Sequence, residues 1–259
     1  MEDNKEIALI LFDLSAAFDL ADHKILLQKC EIYGFSEQAI AWLRSYLKDI
    51  TQRVMVSGEL SSSVKINRGT PQGSRLSPLL FLIIMADLNL HTKKGHLSNF
   101  ADDTQLTALE ENEEKARQVA QEEAQSVISF FEGVKLCNNP DKAALIWNGK
   151  GKHRDIEMEV GGEILKSKET EKLLGMNISS SLGWDTHVDK LCHTLKQRLT
   201  LLTRIKQKVN CQKLKVISEA IFMSKIRYGL SMFRSSLLFW AWKETGERES
   251  MNLEDFPFL

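Results

Sequence analysis

Paired cysteines are missing from this sequence. Its four, Cys30, Cys137, Cys192 and Cys211, are scattered and form no CxxC pair, which argues against a zinc ribbon, a dithiol redox motif or a disulfide framework. They are expected as buried free thiols in a reducing compartment. A long hydrophobic run is missing too. The longest, Leu79 to Ala86, falls far short of the ~20 residues that span a bilayer, so no membrane partner is expected. Net charge is nearly absent: Lys plus Arg number 34 and Asp plus Glu 35, leaving a formal −1. That excludes a uniformly basic nucleic-acid coat but not a local basic surface. The acidic, polar opening MEDNKEI does not read as a secretory or mitochondrial leader. No internal repeat and no long low-complexity tract is found. What is present, 43% apolar and 27% charged residues in a chain of 259, is a globular composition able to bury its own core.

Periodicity gives a coarse order of elements. Residues 7–13 (IALILFD) read as a buried strand ending in a carboxylate. Asp22 caps a helix carrying Ile25, Leu26, Cys30 and Tyr33, stopped by Gly34. Ser36 opens another, with Ile40, Leu43 and Leu47 on one face. TQRVMVSGEL and SSVKINRG read as two short strands around Ser57-Gly58. Ser77-Pro78 starts a helix through LLFLIIMADL, apolar nearly all round and expected to be deeply buried. Leu97 to Leu109 reads as two strands with Asp102-Asp103 as the turn. A long helix follows with Ala116, Val119, Ala120, Ala124, Val127, Ile128 and Phe131 on one stripe. Residues 134–183 read as short strands and turns (ALIWNG, IEMEVGG, LLGMNIS). Beyond Trp184 the period is helical again: Val188, Leu191, Leu195, Leu199, Leu202 and Ile205, then Leu214, Ile217, Ile221 and Tyr228.

Charge is unevenly spread along this order. Asp102 to Glu132 holds nine acids and two bases; Asp185 to Arg234 holds eleven bases and three acids. Such runs are usually solvated helix faces; the functional reading of the basic end is a phosphate-backbone contact surface, which charge alone does not favour. Three acids could carry chemistry: Asp13 at the end of the first strand, and the Asp102-Asp103 pair. If the strands are neighbours, these carboxylates converge, and clustered carboxylates repel unless protonated or bridged by cations. Two Mg²⁺ ions about 3.5–4 Å apart on such acids activate an attacking oxygen and stabilise a leaving one. Arg68-Gly69-Thr70-Pro71-Gln72-Gly73-Ser74 makes a constrained loop feeding a buried helix, with glycines that permit close approach of a ligand. Taken alone, most Asp-Asp pairs are surface turns, and the loop reads as a plain strand-to-helix turn.

Taken in order, the segments are more specific. Leu11-Phe12-Asp13-Leu14-Ser15-Ala16-Ala17-Phe18-Asp19, then Gly69-Thr70-Pro71-Gln72-Gly73-Ser74 with Leu76-Ser77-Pro78-Leu79-Leu80-Phe81, then Phe100-Ala101-Asp102-Asp103, resemble the first three catalytic motifs of reverse transcriptases. The wording ADHKILL, SYLKD, FADDTQL and LLGMNISSSLGW resembles the non-LTR (LINE-type) retrotransposon group. The resemblance runs from about Ile7 to Phe233. It implies an α+β fold: a palm of mostly antiparallel strands with helices on one face, followed by a helical thumb. Residues 1–183 would be the palm with a primer-grip-like hairpin, 184–234 the basic thumb, and 235–259 an unassigned tail.

The resemblance also implies roles. Asp13 and Asp102 would ligate two Mg²⁺ ions, with Mn²⁺ a possible substitute; Asp103 would support them and the Leu14 carbonyl would complete one shell. Phe18 would lie against the sugar of an incoming deoxynucleotide and exclude a 2′-hydroxyl; as a residue it is equally an ordinary core phenylalanine. Gln72 and Gly73 would pack under the nascent base pair and contact the template. Asn138-Asn139-Pro140-Asp141-Lys142 resembles the fourth motif, making Lys142 either a general acid for pyrophosphate or an exposed lysine. Gly175 would approach the primer backbone, and Lys190, Lys196, Arg198, Arg204, Lys206 and Lys208 would contact duplex phosphates. His187 and His193, six apart, read as surface or packing residues. The implied partners are an RNA template, a DNA primer and dNTP. Localisation would be intracellular, nuclear only by family analogy. Few residues precede the first motif, where the family carries fingers that hold the triphosphate; on that ground little or no activity is expected from this chain alone. The competing reading is a non-catalytic remnant that binds template–primer duplex.

Overall fold

The computed structural model describes residues 5–150, 152–233 and 236; the tail assigned to 235–259 thus lies, apart from Ser236, outside the described residues. The chain divides into two compact units, Met1–Lys150 with Arg154–Lys168, and Gly151–His153 with Glu169–Leu259. Among the described residues no helix is long and apolar enough to cross a membrane.

The first unit is built on an antiparallel sheet. Strand β1 (Glu6–Phe12) is central. Helices α1 (His23–Ile32), α2 (Glu37–Tyr46) and α3 (Ser77–Met85) follow it. Strands β2 (His96–Phe100) and β3 (Asp103–Glu110) form a hairpin, and helix α4 (Glu113–Gly133) leads to β4 (Ala144–Gly149). In space the order is β4-β1-β3-β2, every neighbour antiparallel. Alternation decides the buried face: Ala8, Ile10 and Phe12 of β1 and Thr104, Leu106 and Ala108 of β3 are all buried. The full apolar stripe of α4 lies in the same core, with Phe12 and Phe131 meeting edge-to-face at 5.9 Å. Burying such a ring contributes about 1.5–3 kcal/mol.

Caps are where the sequence puts them. The Asp22 side chain accepts from Lys24 and Ile25 N–H, and Ser36 accepts from Ala39 N–H. Several charges are buried and paired. Glu6 accepts from Trp147 Nε1 at 2.9 Å and pairs with Arg154 at 3.3 Å. Lys29 donates to the Ile84 carbonyl at 2.6 Å and to Asp87, with its ammonium over the Phe130 ring. A buried charge survives only when paired in this way.

Four expectations need correction. Helix α3 is not buried all round, because Leu79 and Leu82 face outward at 54% and 48% exposure. Residues 51–65 form two nested two-stranded ladders, Thr51–Gln52 with Val64–Lys65 and Met55–Val56 with Glu59–Leu60, closed by Ser57-Gly58. The β2–β3 turn is Ala101-Asp102, since Asp103 already pairs with Phe100. Only Cys30 and Cys192 are buried; Cys137 and Cys211 are exposed.

The second unit starts with hairpin β5 (Thr170–Leu173) and β6 (Met176–Ser179). Its two-residue turn, Leu174-Gly175, has φ of 47° and 82°, the doubly left-handed geometry that suits tight hairpins. Helices α5 (Asp185–Lys206) and α6 (Cys211–Ser218) follow, then a π-helical turn over Glu219–Met223 and a short helix Ser224–Arg227. Val188, Leu191, Cys192 and Leu195 pack against Met223, Ile226 and Phe233. Leu199 and Tyr228 leave their expected stripes and are exposed, and no α6 residue is buried. His187 is a packing residue: buried, its ring 4.9 Å from Phe233, its Nδ1 accepting from Asn177 N–H. Desolvation, then the Lys190 charge, pushes its pKa down and so favours the neutral ring.

Candidate active site

Sheet register assembles the acids. Phe12, the last residue of β1, lies opposite Thr104 of β3. One step further, the antiparallel register brings Asp13 beside Asp103 at the same sheet end. The adjoining turn carries Asp102, with Ala101 in the left-handed region at φ 55°. Local desolvation comes first, then the Asp102 and Asp13 charges, in raising the Asp103 carboxyl above its usual range, although the residue as a whole is exposed. The three acids therefore share one electrostatic space.

Asp13 is also held from its other side. Its carbonyl accepts from Asn139 N–H at 2.8 Å, and Leu14 pairs with Asn138 across a short antiparallel contact. Lys142 Nζ donates to Asp13 Oδ2 at 3.2 Å. The Leu14 side chain is buried.

The loop after Arg68 folds onto the residues that follow Asp13. Gly69 donates its N–H to the Ala21 carbonyl at 2.7 Å and Thr70 donates to the Phe18 carbonyl at 2.9 Å. At Gly69, φ is +84° and a Cβ would stand 2.8 Å from the backbone oxygen of Asp19, so only glycine fits. His23 Nε2 donates to the Gly69 carbonyl at 2.7 Å. Phe18 is half-buried with its ring 4.6 Å from that of Phe81. Gln72 Nε2 donates to Asp19 Oδ1 at 2.9 Å; Gly73 has φ +80° and open space around it. A cleft of about 500 Å³ runs along this loop, lined by Asp19, Gln52, Arg68, Thr70 and Gln72 among others.

The remaining candidates belong to the second unit. Gly175 sits in the β5–β6 turn, with Tyr228 OH donating to the neighbouring Leu174 carbonyl. Lys190 donates to the Asn177 side chain at 3.0 Å. Arg198 turns inward to the Ile221 carbonyl, in the π-helical turn. Lys196, Arg204, Lys206 and Lys208 are exposed, and Lys206 borders an apolar groove with Leu202, Leu214 and Phe222.

Sequence reading missed three polar residues that fix this arrangement. Glu123, buried on α4, accepts from Lys93 N–H at 2.9 Å and Lys94 N–H at 2.9 Å, pinning the turn that enters β2. Its spacing from Ala116, Ala120 and Val127 placed it on the apolar stripe, which was the available signal. Lys135, at φ 58° after α4, reaches Asp22 at 2.7 Å. Partial burial works against it, but the Lys135 ammonium and the Ile25 and Lys24 N–H groups hold the Asp22 carboxyl below its usual range. Asp19 was noted only as part of a motif, and its bond to Gln72 has no sequence signal.

As donors the acids suit a hard divalent cation, which takes carboxylate oxygens, and the repulsion that lifts Asp103 is what a cation would relieve. Among the described residues, however, no three His, Cys, Asp or Glu side chains are gathered as closely as a metal ion requires.

Comparison with known proteins decides the family. Residues 1–178 match the family described as reverse transcriptase (RNA-dependent DNA polymerase). The chain belongs to the reverse transcriptase family. The RNA-directed DNA polymerase from mobile element jockey of Drosophila melanogaster is 25% identical over 89% of this chain and 26% of its own length. The probable RNA-directed DNA polymerase from transposon BS of the same fly is 28% identical over 77% of this chain and 23% of its own length. The Pol polyprotein of the type-1 retrotransposable element R2 of Popillia japonica is 24% identical over 69% and 30%. The homologues are thus non-LTR retrotransposon polymerases, and the chain spans less than a third of each. Telomerase from Candida albicans, solved with a fragment of telomeric RNA, aligns with a TM-score of 0.48 at 14% identity over 97% of this chain and 43% of that one, too distant to carry an argument. The α+β reverse-transcriptase fold expected from the motifs is the fold of this family, and the antiparallel sheet with its packed helices agrees with it.

Proposed function

We propose that the chain carries the nucleotidyl-transfer site of an RNA-directed DNA polymerase, joining a deoxynucleotide to a primer 3′-hydroxyl opposite an RNA template. The observation that carries this reading is the gathering of Asp13, Asp102 and Asp103 at one sheet end, where desolvation and then the Asp102 and Asp13 charges raise the Asp103 carboxyl. Like charges brought together lower stability and are characteristic of sites that bind cations or move protons.

In this reading Asp13 and Asp102 hold Mg²⁺, or Mn²⁺ in its place, with Asp103 in support and the Leu14 carbonyl adding an oxygen. Bound ions would acidify the primer hydroxyl and offset charge on the phosphates. The chain's own residues bind and orient. Phe18, braced by Phe81, limits the space beside the sugar and so disfavours a 2′-hydroxyl. Gln72 and Gly73 face the nascent pair and template. Lys142 supplies a proton to departing pyrophosphate. Residues 1–183 act as palm, with Gly175 of the primer-grip-like hairpin near the primer. The basic helices of 184–234 act as thumb, with Lys190, Lys196, Arg204, Lys206 and Lys208 toward duplex phosphates, while Arg198, expected with them, is turned inward to the Ile221 carbonyl.

One observation favours a second reading. Lys142 already rests on Asp13, and the acids are not drawn into a closed ligand set. The chain would then bind template–primer duplex without turnover. Mg²⁺-dependent primer extension on an RNA template separates the two. The polymerase reading expects slow extension that Asp102→Asn abolishes. Equal extension by both chains, or none from cooperatively folded native chain, overturns it.

A further inference from the structure

The cleft of about 500 Å³ is walled by two segments, Ile50–Gln52 and Arg68–Gln72, with Asp19 added from the helical turn over Ala17–Leu20. That volume is in the range of small-ligand pockets. Backbone contacts fix the walls: Gly69 and Thr70 donate to the Ala21 and Phe18 carbonyls, and Gly69 stands too close to Asp19 for any side chain. The polar groups on these walls are largely uncommitted. Among the described residues the exposed side chains of Gln52 and Arg68 make no hydrogen bond or ion pair. Thr70 is 4% exposed and its hydroxyl has no partner there either, an uncommon state for a buried polar atom. Asp19 gives Oδ1 to Gln72 Nε2 at 2.9 Å, and Oδ2 stays open to a donor. No aromatic side chain lines the cleft, so a base would find no ring to stack on.

This donor set selects a chemistry. A guanidinium fork suits a phosphate. A carboxylate beside an amide suits a hydroxyl, which donates to one and accepts from the other. Phosphate next to a sugar hydroxyl is the backbone repeat of RNA, and the 2′-hydroxyl is what sets RNA apart from DNA. We propose that the cleft seats the backbone of a single-stranded RNA, with Arg68 on a phosphate and Asp19 and Gln52 on a ribose 2′-hydroxyl. The inference rests on the RNA-template part of the reading above, which the catalytic and the non-catalytic versions share, and it makes this cleft the place where RNA is told from DNA. A DNA strand offers Asp19 no donor, so its carboxylate would lose water without compensation and stand unpaired near phosphates.

The test is fluorescence anisotropy of the full chain with single-stranded RNA and DNA of one sequence and with template–primer duplex. EDTA is present, so that metal binding plays no part. Wild type is compared with Arg68→Gln, Gln52→Ala and Asp19→Ala, all at exposed positions where the urea midpoint should hold. Gln52→Ala and Asp19→Ala are each expected to weaken RNA binding about threefold to tenfold and to leave DNA binding within about twofold. Arg68→Gln is expected to weaken both strands and to shrink the log–log salt slope by about 0.7, the share of one phosphate on a single strand. Equal losses on RNA and DNA in Gln52→Ala and Asp19→Ala, or no loss in either, overturn the hydroxyl contact. An unchanged slope in Arg68→Gln overturns the phosphate contact. In both cases duplex binding by wild type leaves the nucleic-acid reading standing. Wild type that binds neither single strand nor duplex removes the seat and that reading together.

Discussion

The acidic sheet unit and the basic helical unit hold their charges in opposite ways. In the sheet unit the backbone does the holding: register sets Asp13 beside Asp103, a left-handed alanine turns Asp102 to the same end, and Asn139 clasps the Asp13 carbonyl. Around them the buried charges Glu6, Lys29 and Glu123 are each bonded more than once. In the helical unit most bases lie exposed on successive helices and their connections, while Arg198 turns inward to a carbonyl. The contrast matches the functions proposed above. In the polymerase reading, carboxylates sharing a cation need placement within about 0.5 Å, which rigid strands and their turns can provide; a surface tracking phosphates would need charge density, which long side chains on helices supply without fixed positions.

Breaking the placement on the sheet side should cost most. Glu123→Ala leaves the Lys93 and Lys94 N–H groups without their acceptor and should lower unfolding free energy by about 2–3 kcal/mol, read from urea denaturation. A cost under about 0.5 kcal/mol would show that the turn into β2 does not depend on it. On the helical side the effects should separate by residue. Arg198→Ala should cost about 0.5–1.5 kcal/mol by removing its bond to the Ile221 carbonyl, with little change in salt dependence of duplex binding. Replacing Lys190, Lys196 and Lys208 together with glutamine should leave stability within about 0.5 kcal/mol yet shrink the log–log salt slope by about 2–3. An unchanged slope would remove this helix from the duplex interface.

The smallest effect sharpens the comparison through pH. Asp103 has a raised folded-state pKa, so the native state binds its proton more tightly than the unfolded chain does. Stability from this group is therefore greatest at low pH and is lost as pH rises through the unfolded and then the folded value. Asp103→Asn should raise the thermal midpoint slightly at pH 7, and the gain should vanish below about pH 4. A lower midpoint at pH 7 would mean that the acids are not in mutual repulsion.

Local signals in the sequence carried much of the fold. The strand ending at Asp13, the caps at Asp22 and Ser36, and the α4 stripe from Ala116 to Phe131 all depend on neighbours three or four residues away, or on simple alternation. The order of motifs identified the family because three short segments far apart must agree. What was not legible depends on distant partners. Lys29 and Lys135 look like solvated charges until the elements opposite them are known, and the place of Glu123 on the α4 stripe does not name its partners. The hairpin turn was misread by one residue because any of Ala101, Asp102 and Asp103 can occupy a tight turn, and pairing with Phe100 makes the choice. Leu79 and Leu82 give no sign in sequence that they point away from the core.

The central claim is that acidic chemistry and basic binding reside in separable parts of one chain. It is tested most directly by measuring, in one preparation of Asp102→Asn, both Mg²⁺-dependent primer extension and template–primer affinity at fixed salt. The account predicts extension reduced at least about a hundredfold from the native rate, with duplex affinity within about twofold, since one acid distant in sequence from the basic helix leaves the phosphate contacts in place. Extension that survives the substitution, or extension and affinity that fall together in folded protein, would contradict it.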